Sequence, residues 1–215
     1  MSNLDVLLDQ AFLAYNQKDY DMAEDLARQV LTLAPAQGDG LYLLGLVASQ
    51  MGAYEPAEKL LYQAVQLYPE NKQYKLSLGF VLEKQGRLDE ALSFYDPYKE
   101  DAFVLAEIGF IYLQKGQPDF AKSAFDKSLS LNGDVLTAYI GKSLILRRQN
   151  LFKDSLSLLE EALTHGQSAE LYYQLAQAYR HVGKLKPALS AIENALKIQE
   201  VASFYNERGL IEEGQ

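Results

Sequence analysis

A small residue recurs along this chain at a nearly constant interval: Ala23, Ala57, Ala91, Ala121, Ser155 and Ala188 lie 34, 34, 30, 34 and 33 residues apart. Self-similarity with a period of about 20–50 residues marks a repeat architecture, in which each unit packs on its neighbours and no single central core forms. Six units exceed the roughly three that such an array needs for stability. A stack of this kind offers an extended surface. The sequence therefore points toward binding along a face and away from chemistry in an enclosed pocket.

Each interval holds two segments of helical period. In the second, Leu41, Leu44, Gly45 and Ala48 recur at i, i+3, i+4 and i+7, and Ala57, Leu60, Leu61 and Ala64 repeat the pattern after a break. Gly52 stands in that break, with Gly86, Gly116 and Gly183 in the same slot of later units and Lys18 and Asn150 in the others. These positions predict left-handed helix caps, which Gly adopts freely and Asn with little strain. Pro56, Pro118 and Pro187 fall near the start of the second helix, where a missing N–H costs little. The unit is helix, tight turn, helix.

Gly45, Gly79 and Gly109 lie inside the first helix, where Gly is worse than Ala by roughly 1 kcal/mol. Ala11, Ser143 and Ala176 take the slot elsewhere, so a neighbouring helix is expected to pass close by, with the Ala57 slot as the counterpart. The third unit is short by four residues, about one helical turn. Asp96-Pro97 predicts that its second helix ends near Tyr95, with altered stacking between Ala91 and Phe103.

Leu44-Gly45, Tyr54, Ala57, Leu61, Ala64 and Pro69 resemble the signature of the tetratricopeptide repeat, an antiparallel helix pair of about 34 residues. Leu78-Gly79, Leu88, Ala91 and Tyr95 repeat it, as do Ile108-Gly109, Tyr112, Ala121 and Phe125, and then Tyr179, Leu185, Ala188 and Ala195. The signature's first-helix Trp is absent throughout, and its closing Pro stands in only two units. The resemblance implies an all-α, right-handed superhelical solenoid of about six antiparallel helix pairs. They would fall at about 4–37, 38–71, 72–101, 102–135, 136–168 and 169–201, forming one solenoid over 1–200. Residues 202–215 would then form a capping helix, or the first helix of an incomplete seventh pair.

The formal charge of −9 would repel duplex nucleic acid, so no nucleic acid partner is expected. With no cysteine there are no disulfides, thiolate metal sites or cysteine nucleophiles. Met1-Ser2-Asn3-Leu4-Asp5 lacks a basic, then apolar, leader, and no apolar run approaches the ~20 residues needed to span a bilayer. A cytoplasmic location without membrane insertion is the expectation. Gly141-Lys142-Ser143 imitates the end of a phosphate-binding loop, but Leu136 stands where that motif requires glycine. His165 and His181 belong to no metal-ligand motif, and no nucleophile constellation occurs. No catalytic residue, metal ligand or cofactor is assigned, and the chain is not expected to be an enzyme.

In the family this chain resembles, the first helices line a concave, partner-binding face. The offsets place Phe12, Tyr15, Tyr42, Leu46, Leu76, Phe80 and Lys84 there, followed by Phe103, Phe110 and Leu144. Arg147, Arg148, Tyr173, Gln177, Arg180 and His181 complete the face. Its middle is aromatic and apolar, which means either partner anchors or rings buried by curvature. Its far end gathers Arg147, Arg148, Arg180 and His181 on an otherwise acidic chain, a chemistry suited to carboxylates. The Lys and Asn residues with which the family's best-known members clamp a C-terminal carboxylate are replaced by Leu8, Phe12, Tyr42, Leu46, Leu76 and Phe80.

The resemblance thus implies a protein-interaction adaptor or scaffold that takes a peptide segment or partner helix in its groove, amphipathic with an acidic portion. Two other readings stay open: the N-terminal targeting region of a longer bacterial methyl-, glycosyl- or sulfotransferase, and self-assembly into a homo-oligomer.

Overall fold

The computed structural model describes residues 3–214; Met1, Ser2 and Gln215, the ends of the expected 1–200 and 202–215 segments, lie outside the described residues. Every regular element among the described residues is helical. The chain divides into two compact units between Pro97 and Tyr98. The first holds α1 (Asn3–Asn16), α2 (Tyr20–Leu33), α3 (Gly38–Gln50), α4 (Tyr54–Leu67), α5 (Lys72–Lys84) and α6 (Leu88–Tyr95). A 3-10 turn, Asp96–Tyr98, spans the division. The second unit holds α7 (Ala102–Gln114), α8 (Pro118–Leu131), α9 (Leu136–Arg148), α10 (Phe152–Ala162), α11 (Ala169–His181), α12 (Leu185–Ile198) and α13 (Ala202–Glu213). Within each unit every helix packs on the next, and successive first helices also touch. Among the described residues the shortest second helix, α6, ends at Tyr95 as Asp96-Pro97 predicts.

The helix breaks fall on the expected residues. Lys18, Gly52, Gly86, Gly116, Asn150 and Gly183 all have positive φ, between 62° and 78°. At each, two backbone bonds close the first helix. Gly52 N–H donates to Ser49 O at 3.1 Å and Ala53 N–H donates to Ala48 O at 2.9 Å, and the same pair recurs at the other five. This motif satisfies carbonyls that a helix end would otherwise leave bare. The second helices bury one stripe, such as Ala23, Leu26, Ala27 and Val30 in α2. A first helix with neighbours on both sides within its unit buries most of its circumference, as α3 does with Leu41, Tyr42, Leu43, Leu44, Val47 and Ser49.

The small-residue slot on the first helix has a different counterpart from the expected one. A Cβ on Gly45 would meet the Leu61 side chain at 2.6 Å, whereas the Ala57 carbonyl stands off at 3.5 Å. At Gly79 the neighbours are Tyr95 and Phe94, and at Gly109 the neighbour is Phe125. The small residue thus accepts the large side chain one turn beyond the Ala57 slot. Helical side chains lean toward their helix N-terminus, so the bulk of Leu61, Tyr95 or Phe125 covers the turn that carries the small residue. Phe125 does this twice, since its ring also covers Gly141 of α9. The Gly141-Lys142-Ser143 trio is fully used in packing: Lys142 pairs with Asp126 at 2.6 Å, and Ser143 Oγ donates to Ile140 O at 2.8 Å.

α13 occupies the place of a first helix. It packs on α11 and α12, burying Phe204, Glu207 and Ile211. Gly209 falls in the small-residue slot, yet a Cβ there would meet nothing within 4 Å, because among the described residues no second helix follows. Gly209→Ala is therefore expected to stabilise the protein by about 0.5–1 kcal/mol through helix propensity alone. Urea unfolding measures it, and an unchanged or lowered midpoint would show that something already covers this face.

Candidate functional site

In the first unit the expected groove residues come from α1, α3 and α5. Phe12 and Tyr42 meet at 6.4 Å between ring centres, and Tyr42 stacks on Tyr74 at 4.8 Å. Tyr68 adds its edge to Tyr74, and Gly38 leaves room for both rings. Tyr74 Oη donates to Asp39 Oδ1 at 2.6 Å; burial and this carboxylate hold the phenol well above its ordinary pKa. Tyr42 is only 8% exposed, so this ladder joins successive helix pairs internally. Tyr15 is half-buried against Tyr20 at 5.7 Å, and burial raises its pKa. Leu46 and Leu76 are half-buried as well. Phe80 differs, being 37% exposed, with the Lys84 ammonium 4.8 Å from its ring centre.

In the second unit Phe103 stands 61% exposed on α7. Phe110 turns inward and sets its ring edge-on to Phe125 at 5.3 Å. The cationic residues divide by partner. Arg147 donates through Nη1 to Gln174 Oε1 at 2.6 Å, and Gln174 Nε2 donates to Glu170 Oε1 at 2.7 Å. Arg180 Nε donates to Glu207 Oε1 at 2.7 Å, and Glu207 is 4% exposed. Burial pulls the Arg147 guanidinium below its ordinary pKa, which the Glu207 charge opposes. Tyr173 stacks near Phe204 at 4.9 Å, and burial, then the negative Glu207 and Glu170, raise its phenol. Gln177 is half-buried. His181 stacks on Phe152 at 5.0 Å with the planes 16° apart. Leu144, Arg147, Arg148, Phe152 and His181 line a cavity of about 300 Å³.

The groove residues are thus of two kinds. Tyr42, Phe110, Arg147 and Arg180 are engaged within their own unit, whereas Phe80, Lys84, Phe103, Arg148 and His181 face outward. The offsets missed Tyr74, Phe152, Gln174 and Glu207. For the last two a signal existed: each lies 27 positions after its arginine, so the same contact recurs one repeat along. Among the described residues no helix is long and apolar enough to cross a membrane, and no group of three metal-capable side chains converges.

Family models described as tetratricopeptide repeat match residues 8–71, 48–104, 104–135 and 169–201. A TPR repeat-containing protein of Methanocaldococcus jannaschii is 23% identical over 93% of this chain, which spans only 39% of that protein's length. Among solved structures, a tetratricopeptide repeat protein from Parabacteroides merdae superposes with a TM-score of 0.70 at 21% identity, covering 97% of this chain and 85% of that one. A Cut9–Hcn1 hetero-tetramer of the APC/C gives 0.76 at 15% identity, over 97% of this chain and 42% of that one. With six helix pairs and a further helix among the described residues, breaks at the repeat interval and these matches over most of its length, the chain belongs to the tetratricopeptide repeat family.

Proposed function

We propose that this chain is a protein-interaction scaffold that takes a peptide segment or partner helix on the exposed parts of its first helices. Tetratricopeptide repeats serve in general as scaffolds for proteins and peptides, and in the Cut9–Hcn1 structure such a chain stands in a hetero-tetramer. The observation that carries the reading is Phe80. Most other aromatic residues of the expected groove pack inward, while Phe80 remains exposed under the Lys84 ammonium. An aromatic ring beside a flexible cation suits an amphipathic partner, with the ring as anchor and the charge at the rim.

Selection of binders from a random peptide display library, followed by affinity measurement on the purified chain, tests this. Phe80→Ala is expected to weaken the selected peptides by about 2 kcal/mol or more. The melting temperature should fall far less than for a buried ring, whose loss costs ~3–5 kcal/mol. Peptides that bind Phe80→Ala as tightly as wild type would remove Phe80 from the interaction surface.

A further inference from the structure

We propose that the cavity between the C-terminal ends of α9 and α11 and the start of α10 binds a carboxylate of the partner segment, with an apolar neighbour of that carboxylate seated on Leu144 and Phe152. The proposal rests on the scaffold reading and names the chemistry that one part of its surface recognises. The cavity, about 300 Å³, has cations, an imidazole and apolar side chains on its walls and no carboxylate.

Of its cations, Arg147 is engaged by Gln174, and Arg180 behind it by Glu207. Arg148 is exposed and, among the described residues, has no such partner. Cations in a last helical turn also offset the helix dipole. That does not account for the cluster, because α1, α3 and α7 end without any basic residue in their last turn. Burial, then the charges of Arg147 and Arg180, hold the His181 pKa below its ordinary value against the opposing Glu207. The charged groups facing the imidazole are Arg147 and Arg148 from α9, Arg180 from α11 and Glu207 from α13, with Lys153 and Asp154 lining the adjoining cavity. The Phe152 ring fixes the imidazole in place by stacking. A planar guanidinium beside a fixed imidazole matches a carboxylate better than a lone ammonium would.

The two histidines make the test internal. His165 bonds Asp134 at 2.9 Å and stacks on Tyr139, away from the cavity, so it serves as a control. Imidazole NMR titrations would be run on the whole chain, alone and with a capped peptide rich in Glu and Leu. Its Gln-for-Glu counterpart, inorganic phosphate and a short single-stranded RNA form the other arms. A carboxylate at the site favours the imidazolium, so the acidic peptide should raise the His181 midpoint by about half a pH unit or more. By linkage its affinity should then rise as the pH falls from 8 toward 6. The Gln peptide should leave His181 unmoved, and His165 should respond to neither peptide. Arg148→Glu, at an exposed position, should melt like wild type and lose about tenfold or more in acidic-peptide affinity.

A response to phosphate or RNA without one to the acidic peptide would overturn the proposal, as would an equal response to the Gln peptide or an unchanged affinity in Arg148→Glu. If library peptides depend on Phe80 while the acidic peptide leaves His181 still, the carboxylate site falls and the scaffold reading stands. If Phe80→Ala binds library peptides normally while His181 still responds, the loss falls on the Phe80 surface alone.

Discussion

Phe125→Ala is expected to cost about 3–5 kcal/mol, the range for emptying a fully enclosed aromatic site. The Phe125 ring has no exposed surface, lies edge-on to Phe110, and covers both Gly109 of α7 and Gly141 of α9. One side chain therefore closes its own helix pair and joins it to the next, and in a repeat array such junctions set how cooperatively the units unfold. Urea unfolding followed by circular dichroism should show both a lower midpoint and a broader transition. Gly141→Ala approaches the contact from the opposite side, since its Cβ collides with the ring; overpacking of this kind costs ~1–3 kcal/mol. Paired with Phe125→Leu, that penalty should shrink, because residues in contact do not contribute additively. A Phe125→Ala loss below about 1 kcal/mol, or strict additivity in the pair, would mean that the ring is not the junction described.

Arg180→Ala should have the second largest effect. Glu207 is almost fully buried, and removing the guanidinium leaves a carboxylate in a low-dielectric site without its charge partner, at a cost of about 3–5 kcal/mol. Glu207→Gln should cost less, because the Arg180 side chain it leaves behind is 29% exposed and can turn to water. The Arg180→Ala penalty also has a ceiling. α13 is terminal among the described helices and packs chiefly on α11 and α12, so undocking it relieves the carboxylate without unfolding the rest. Hydrogen exchange should accordingly show protection lost across 202–213 before any other helix. Equal losses from the two substitutions, or uniform loss of protection, would contradict this account.

The array itself was legible because its determinants are local. A residue that must adopt positive φ, a proline at a helix start and an apolar stripe of period 3.6 each write themselves into a few neighbouring positions. All six breaks and the short α6 could be located from such signals. The pairing of the small-residue slot was misjudged because spacing along one helix does not say which way a side chain leans. That lean moved the contact from Ala57 to Leu61. The groove was less legible still, since family offsets identify a face but not which of its residues a neighbouring repeat will cover. Phe80 and Tyr42 occupy neighbouring offsets of that face, and only packing against Tyr74 separates an open ring from a closed one. Arg147 and Arg180 likewise looked available because their acceptors lie 27 residues away.

Two groups of glycines in this protein answer to unrelated demands. At Gly52, Gly86, Gly116 and Gly183 a Cβ would meet nothing within 4 Å, yet φ lies between 70° and 78°. What excludes other residues there is chirality and not volume; a D-amino acid would fit where its mirror image strains. At Gly45, Gly109 and Gly141 the backbone is ordinary right-handed helix, and a D-residue would gain nothing. There the excluded quantity is the volume of one methyl group. Lys18 and Asn150 show that the first demand can be overridden at a tolerable conformational cost. Ala11 and Ala176, both fully buried in the same slot, show that the second demand too can be relaxed by one methyl group. The same letter in this sequence thus encodes a rule of handedness at the turns and a rule of space in the helices, and drift can erase either without touching the other.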